Sequence, residues 1–236
     1  MKQPLVTVIT VCWNARDMLK RTMESVWAQT YKRVEYVIVD GASTDGTKEL
    51  LAENDQRIDC WVSEPDKGIY DAMNKGVQLA KGEWAIFMNA GDCFADNKVL
   101  EKIFAVPREA DVIYGDVVKG GIVKKALSPC NAHRMFFCHQ SELVKLDSLK
   151  EFPFDISHKM SADFKQVKQL WLAGKKFLQL DFPIADFDVQ GISNVNRSAG
   201  LWDNICVIRE VDSCWQQIKL LPRLYFVWFS CRLRGK

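Results

Sequence analysis

The feature that most constrains the fold is the alternation of strand and helix patterns over the first 92 residues. Short β-branched runs alternate there with segments whose apolar side chains recur at the spacing of one helix face. The pattern predicts strands at residues 5–12, 34–39, 60–62 and 85–88, with helices between them. Such alternation produces an α/β fold, in which helices cover both faces of a mostly parallel central sheet. Ligands of these sheets bind at the carboxyl ends of the strands, so the polar clusters that follow the strands are candidate functional positions.

The second half of the chain is less regular. It predicts strands at residues 111–114 and 117–127, where Gly120 and Gly121 favour a hairpin, helices at 161–173 and 202–218, and a strand at 176–182. No internal repeat or low-complexity linker interrupts the sequence. We therefore expect one domain at residues 1–200 and a C-terminal helical extension at residues 201–236.

Charge is balanced over most of the chain and unbalanced at its end. A net charge of +2 and a pI of 8.1 are too mild to indicate nucleic acid as a partner. Residues 219–236 carry only cations, namely Lys219, Arg223, Arg232, Arg234 and Lys236. The apolar run at residues 224–229 is too short to cross a bilayer, but aromatic side chains beside cations suit an anionic membrane surface. The alternative is a C-terminal helix packed on its own domain or on a partner subunit.

Cysteine usage and the N-terminus predict the compartment. The eight cysteines include no C-x-x-C pair and lie mostly in apolar runs, which is typical of buried free thiols in a reducing cytosol. The first residues lack the pattern of a secretory signal. We expect a cytoplasmic protein, with peripheral contact to the inner face of the cytoplasmic membrane through its tail. The three histidines lack zinc-site spacing.

Two nucleotide-binding motifs can be excluded. Residues 41–48 have the glycine spacing of a Walker A loop, but they end in Gly-Thr-Lys, and no G-x-G-x-x-G follows a strand. The polar clusters are acidic instead and contain Asp40, Asp45, Asp66, Asp71 and Asp92. Carboxylates can hold a divalent cation or accept hydrogen bonds from a base and a ribose.

Four segments in order carry a resemblance to a known family. Residues 7–14 (TVITVCWN), 36–47 (YVIVDGASTDGT), 63–76 (SEPDKGIYDAMNKG) and 87–92 (FMNAGD) resemble the family-2 glycosyltransferases. The likeness continues more thinly through residues 138–141, 161–164 and 191–193. It is greatest to bacterial enzymes that build exopolysaccharide, capsule or O-antigen (lipopolysaccharide) repeats.

The resemblance implies a GT-A fold, a nucleotide-sugar donor with UDP favoured, a Mn²⁺ or Mg²⁺ ion, and inversion at the anomeric carbon. By position, Asp40 would accept a hydrogen bond from the base, and the loop around Asn14 would frame the base pocket. The donor-binding residues implied in this way are Asn14, Asp40, Asp45, Gly68, Asp71, Asn74 and Asn89. For Asp45 the alternative is a residue that shapes the turn or caps the next helix.

The same likeness implies the metal ligands and the catalytic base. Asp92 matches the metal-binding carboxylate of the family's D-x-D element, whereas Asn89 stands where an acid is commoner. His139 is a second candidate metal ligand, with a hydrogen-bonded structural histidine as the alternative. Asp163 matches the catalytic base, which must remove a proton from the acceptor hydroxyl, and Asp155 is the second candidate. The alternative for Asp163 is a helix cap.

These expectations combine into one function with two rivals. We expect an inverting, metal-dependent transferase that moves a sugar from a nucleotide-sugar donor to a lipid-linked saccharide acceptor. Its role would be in the biosynthesis of a bacterial surface polysaccharide. A nucleotidyltransferase would share the strand–helix pattern but release pyrophosphate. A non-catalytic subunit that only binds the nucleotide sugar is the rival from another class.

Overall fold

The computed structural model describes residues 3–105, 109–188 and 197–233. Its strands are β1 (Val6–Cys12), β2 (Val34–Asp40), β3 (Cys60–Ser63), β4 (Trp84–Phe87), β5 (Cys93–Phe94), β6 (Val112–Lys119), β7 (Ile122–Lys124), β8 (Glu142–Lys145) and β9 (Phe177–Phe187). Its α-helices are α1 (Arg16–Trp27), α2 (Thr47–Glu53), α3 (Ile69–Leu79), α4 (Val99–Phe104), α5 (Leu146–Glu151), α6 (Ala162–Leu172), α7 (Arg197–Val211) and α8 (Cys214–Leu233). The predicted segment 191–193 and the cations Arg234 and Lys236 lie outside the described residues.

One sheet organises these elements in the order β3-β2-β1-β4-β8-β6-β9-β5, and β7 pairs with β6. The first four strands along the chain pair in parallel, as predicted. Strand β8 runs antiparallel to both β4 and β6, whereas β6 and β9 are parallel. The predicted hairpin is confirmed as β6–β7. The α/β fold class with a central sheet and a helical C-terminal part is confirmed.

The period-2 pattern of the strands builds two cores. In β1, Val6 and Val8 contact one core, and Ile9 and Val11 contact the other. Helices α1, α2 and α4 cover the first face, and α3, α5 and α6 cover the second. Burial on both faces explains why these parallel strands read as continuous apolar runs.

The predicted single helix at residues 202–218 is wrong. The structure has two helices there, α7 and α8, separated by Asp212 and Ser213. The Asp212 carboxylate is buried and lies 2.7 Å from the Lys168 ammonium of α6, a tertiary contact that the local pattern does not contain. The Ser213 carbonyl accepts a hydrogen bond from Gln217 at 2.9 Å, so a new helix begins.

The C-terminal helices pack onto the sheet domain through α6. Phe164 of α6, Ile205 and Ile208 of α7 and Leu224 of α8 share one buried cluster. Among the described residues, no helix combines the length and apolar composition that a membrane crossing requires. The cysteines are free thiols, and the prediction that they are buried is wrong for Cys130 and Cys214, which are exposed.

Candidate active site

Asp40 lies at the carboxyl end of β2, between Cys12 of β1 and Ser63 of β3 in the sheet register. Its side chain is fully buried. The carboxylate accepts hydrogen bonds from the Ser43 amide at 3.0 Å, from the Ser43 hydroxyl, and from the Ser63 hydroxyl at 2.6 Å. Asp40 therefore links the loop after β2 to the neighbouring strand β3. Its contact with the base of a nucleotide stays a prediction.

Asn14 and Asp45 join the loops after β1 and β2. The Thr44 backbone amide donates to Asn14 Oδ1 at 2.8 Å, and the Asn14 backbone amide donates to the Ser43 hydroxyl at 2.7 Å. Asp45 accepts from the Thr47 hydroxyl at 2.6 Å and from the Arg16 amide at 3.1 Å. Chiefly through the Thr47 hydrogen bond, the pKa of Asp45 is lowered. These are the contacts of a turn-forming residue, the alternative weighed from the sequence.

Trp13 is a residue of this region that the sequence analysis did not single out. Its indole is 66% exposed, although it directly follows a buried strand. A Cβ built on Gly41 would lie 3.4 Å from Trp13 Cδ1 and 2.5 Å from Asp66 Oδ2, so the three residues adjoin. The sequence signal that could have identified Trp13 is a large aromatic residue placed directly after a buried strand, at the start of a polar loop.

The segment from Gly68 to Asn74 opens α3. Gly68 has φ of 117° and ψ of 172°, a conformation that is essentially restricted to glycine. Asp71 accepts a hydrogen bond from the Lys67 amide at 3.0 Å. Both ends of the Asn74 amide bind the backbone of Phe154, at 2.8 and 2.9 Å. Asn74 thus positions a neighbouring loop, and its contact with the donor stays a prediction.

Asp92 lies in the turn after β4, which Thr22 of α1 holds. The Thr22 hydroxyl accepts from the Gly91 amide at 2.9 Å and donates to the Asp92 carbonyl at 2.8 Å. The Asp188 amide donates to Asp92 Oδ1 at 2.9 Å. Gly91 has φ of 104°, a conformation that favours glycine, and a Cβ built there would lie 2.7 Å from Asp188 Oδ2, so the Asp188 carboxylate lies beside this turn.

Electrostatics at Asp92 are unusual for a carboxylate. The pKa of Asp92 is raised to about 7, mainly by burial and also by the charge of Asp188, against the opposing effects of the Asp188 amide, Lys119 and Arg21. A cation placed here would relieve the cost of keeping Asp92 ionised.

The oxygen atoms near Asp92 fit a hard divalent cation. Asp92 and Asp188 supply two carboxylates, and the buried Asn89 Oδ1 has no hydrogen-bond partner among the described residues. Oxygen ligands of this kind suit Mg²⁺ or Mn²⁺. Asp188, which is 96 residues from Asp92 in sequence, was missed by sequence reasoning and adds a second carboxylate near Asp92.

His139 lies in a different environment. Its ring stacks on Phe87 and meets Phe154 edge to face, with centroids 5.2 and 5.6 Å apart. His139 Nε2 lies 3.6 Å from Glu142 Oε1, and the described residues offer neither atom a hydrogen bond. Burial lowers the pKa of His139 and raises that of Glu142 well above its ordinary value, so burial disfavours the charged form of both side chains. The described contacts of His139 are those of a packed ring, and its role as a metal ligand stays a prediction.

Asp163 lies in the first turn of α6. Its Oδ1 accepts hydrogen bonds from the Tyr70 hydroxyl at 3.0 Å and from the Phe164 amide at 2.8 Å. Asp163 is half-buried. The charges of Asp163 and Asp92 both raise the pKa of the Cys138 thiol, on which burial has the largest effect.

Asp155, the second candidate for the base, belongs to an ion-pair cluster. Ligand atoms of Asp155, His158 and Glu210 lie within 4.8 Å of one another, as in a metal site. The Lys165 ammonium already binds Asp155 at 2.6 Å and Glu210 at 2.5 Å. The hydrogen bond from Lys165 holds the pKa of Asp155 well below the usual range. This disfavours Asp155 as the general base.

This cluster predicts a pH-dependent stability. Burial alone would lower the pKa of His158, but hydrogen bonds to Asp203 and Glu210 raise it above its ordinary 6.5. The native state therefore binds this proton more tightly than the unfolded chain, so its stabilisation is full below pH 6.5 and is lost as the pH rises through the native pKa. We expect His158→Gln to lower the free energy of unfolding by about 1.5–3 kcal/mol at mildly acidic pH and by less at alkaline pH.

Urea denaturation at the two pH values measures this difference. Lys165, which lies 3.4 Å from His158 Nε2, is present in both the wild type and the variant, so its own charge does not distinguish the two proteins. His133→Gln is the matched control, because the pKa of His133 is lowered by burial. Equal destabilisation at both pH values would contradict the prediction.

Comparisons with known proteins identify the family and the fold. The sequence model described as "Glycosyl transferase family 2" matches residues 7–166. A glycosyltransferase of Mycobacterium tuberculosis, named uncharacterized, is 41% identical over 98 residues, which is 41% of this chain and 37% of that protein. A PGL/p-HBAD biosynthesis glycosyltransferase of Mycobacterium bovis is 29% identical over 175 residues, 70% of this chain and 68% of the relative.

Solved structures show the same fold at low identity. S. aureus TarS residues 1–349 in complex with UDP has a TM-score of 0.69 at 18% identity and covers 89% of this chain and 67% of its own. A mannosyltransferase of Pyrobaculum calidifontis in complex with GDP-Man and Mn²⁺ has a TM-score of 0.69 at 17% identity, covering 90% and 66%.

The matched range runs from β1 into α6 and includes Asp40, Asp92 and Asp163. The fold, the order of the motifs and the matched range lead to the same family. This chain belongs to glycosyl transferase family 2 and has the GT-A fold of its structural neighbours.

Proposed function

We propose that the chain catalyses the inverting, metal-dependent transfer of a sugar from a nucleoside diphosphate donor to a saccharide acceptor. The observation that carries the proposal is the pairing of two acidic centres, Asp92 with Asp188 and Asp163 with Tyr70, whose aspartates Asp92 and Asp163 both act on Cys138. One centre suits the leaving group and the other suits the acceptor.

Asp92 and Asp188, with the Asn89 side-chain oxygen, would hold the cation. When bound, a divalent cation neutralises the charge that develops on the departing diphosphate. The Asp92 turn is rigid because Thr22 binds it on two sides, so these oxygens are positioned before the donor arrives.

Asp163 would act as the general base. Its Oδ1 is held by Tyr70 and Phe164, which leaves Oδ2 to receive the proton of the acceptor hydroxyl. The hydroxyl oxygen then forms the new bond to the anomeric carbon while the bond from that carbon to the diphosphate oxygen breaks. Attack opposite to the leaving group inverts the anomeric configuration.

The loops after β1 and β2 would bind the nucleotide. Asp40 and Asn14 fix these loops together, and the exposed Trp13 indole offers a flat apolar face to a base. Asp45, Gly68, Asp71 and Asn74 support the walls of this region through the contacts described above. TarS, a neighbour in fold, binds UDP, and this supports UDP as the favoured nucleotide.

The acceptor is proposed to be a saccharide on a lipid, in the biosynthesis of a bacterial surface polysaccharide such as exopolysaccharide, capsule or lipopolysaccharide. A Bacillus subtilis relative that is 39% identical over 103 residues is named a putative teichuronic acid biosynthesis glycosyltransferase. Since the first relatives are matched over only 37% of their length, this role rests on the likeness of the shared segment.

The outer face of α8 would bring the site to that acceptor at the cytoplasmic face of the membrane. Its exposed apolar side chains recur at helical spacing and are Trp215, Ile218, Phe226, Phe229 and Leu233. Exposed cations flank them, Lys219 and Arg223 on one side and Arg232 on the other, and α8 contains no acid. Aromatic rings with cations beside them complement an anionic lipid surface.

Vesicle binding tests this surface. We expect Phe226→Ser with Phe229→Ser to reduce association with vesicles of equal parts phosphatidylcholine and phosphatidylglycerol about tenfold or more. Ile122→Ser, which removes a comparably exposed side chain from β7, is the matched control. Unchanged binding by the double variant would contradict lipid docking and leave a partner protein as the occupant of α8. Equal binding to vesicles of phosphatidylcholine alone would contradict the recognition of anionic lipid by the cations.

A donor screen tests the catalytic proposal. Thermal denaturation with a panel of nucleotide sugars, each with and without Mn²⁺, should show a cation-dependent rise in Tm for at least one donor. Product analysis of that donor should give a nucleoside diphosphate. Pyrophosphate would support a nucleotidyltransferase, and binding without turnover of any acceptor or water would support a non-catalytic subunit.

A further inference from the structure

Tyr70 connects two distant parts of the chain at the candidate active site. It lies in the first turn of α3, and its hydroxyl donates to Asp163 Oδ1 at 3.0 Å across a separation of 93 residues. The Tyr70 ring stacks on Phe154, with centroids 5.7 Å apart. Because Asn74 of the same helix binds the Phe154 backbone through both ends of its amide, the ring and its hydroxyl are fixed in place.

This hydrogen bond determines which oxygen of Asp163 is available. Oδ1 already receives the Tyr70 hydroxyl and the Phe164 amide, whereas Oδ2 has no hydrogen-bond partner among the described residues. A donor to an ionised carboxylate stabilises the ionised form. The same bond therefore orients the carboxylate and keeps it ready to accept a proton.

The other groups around Asp163 cannot replace Tyr70. From the segment at residues 138–142, His139 and Glu142 are buried side chains whose charged forms burial disfavours, and burial also raises the pKa of the Cys138 thiol. From α7, Asp203 acts on Tyr70 as a second negative charge. No described cation pairs with Asp163 itself, so the tyrosine hydroxyl is its principal polar partner.

We propose that Tyr70 is a positioning residue for the catalytic base. Its hydroxyl holds Asp163 Oδ1, so that Oδ2 faces the acceptor hydroxyl in the ionised form. This inference rests on the proposed function, because it presumes that Asp163 takes the acceptor proton.

Tyr70→Phe in the full chain tests the inference, with kcat/KM measured against pH. Loss of one charge-assisted hydrogen bond to the carboxylate should move the acid limb of the profile to higher pH. At acidic pH, kcat should fall about 10–100-fold for this shift, while KM for the donor is unchanged. Tyr31→Phe is the matched control, since it removes a tyrosine hydroxyl that binds the Pro4 carbonyl at 2.7 Å, and it should leave the profile unmoved.

The outcomes separate the inference from the proposed function. A Tyr70→Phe variant with a lower Tm but an unmoved acid limb and kcat would overturn the inference, because the hydroxyl would then be merely structural. If Asp163→Asn is inactive and the Tyr70→Phe profile is unmoved, only the inference fails. An active Asp163→Asn enzyme would remove the proposed base and the inference together.

Discussion

Asp163→Asn is expected to lower kcat by about 10²–10⁴-fold, the usual loss when a general base is removed. The amide has nearly the shape of the carboxylate, and its oxygen can still accept from Tyr70 and Phe164. The fold and donor binding should therefore survive, and the loss should appear in kcat and not in KM for the donor. Initial rates of nucleoside diphosphate release over a range of donor concentrations measure this split.

Asp155→Asn is the control that distinguishes the two candidate bases. It breaks the ion pair with Lys165, so we expect a lower Tm with kcat changed by less than about tenfold. The opposite pattern, an active Asp163→Asn and an inactive but folded Asp155→Asn, would transfer the role of base to Asp155.

Asp92→Asn is expected to abolish both activity and the effect of the cation on stability. In the wild type, Mn²⁺ with nucleoside diphosphate should raise Tm, because the complex forms only with the folded state. The variant should show little rise and a loss of activity of about 10²-fold or more, since a Lewis acid supplies several kcal/mol. Asp181→Asn, an exposed carboxylate on the strand that leads to Asp188, is the matched control.

The same variant should be more stable than the wild type when no cation is present. Burial raises the pKa of Asp92 to about 7, so the native state binds this proton more tightly than the unfolded chain. Its contribution is full below the ordinary value of 3.8 and is lost as the pH rises through about 7. In chelator at mildly alkaline pH, Asp92→Asn should therefore melt at a higher temperature than the wild type. A lower Tm there would show that Asp92 is stabilising as a charge without a cation.

Local patterns in the sequence predicted the strands of the first 92 residues. Strands β1, β2, β3 and β4 were predicted to within one residue, because strands buried on both faces appear as β-branched runs. Asp40 and Asp92 were found for the same reason, since Asp40 directly follows one of those runs and Asp92 lies in the turn after another. The short strand β8 was missed because it contains the buried Glu142 and no apolar alternation.

The parts that sequence could not supply are contacts between distant residues. Asp188 reaches Asp92 over 96 residues, and Tyr70 reaches Asp163 over 93, and neither pairing leaves a periodic signal. The break between α7 and α8 has a similar cause, the tertiary ion pair of Asp212 with Lys168. Asn74 and Asp45 were identified by resemblance, and the structure adds the backbone contacts that each of them makes.

The most direct test of the central claim is the anomeric configuration of the first product, followed by proton NMR as the reaction proceeds. With the donor that the thermal screen selects, and Mn²⁺ present, the account predicts nucleoside diphosphate together with a sugar whose anomeric configuration is opposite to that of the donor. Asp163→Asn should form neither at a measurable rate. Retained configuration, or release of pyrophosphate, would contradict direct displacement by an acceptor that Asp163 activates.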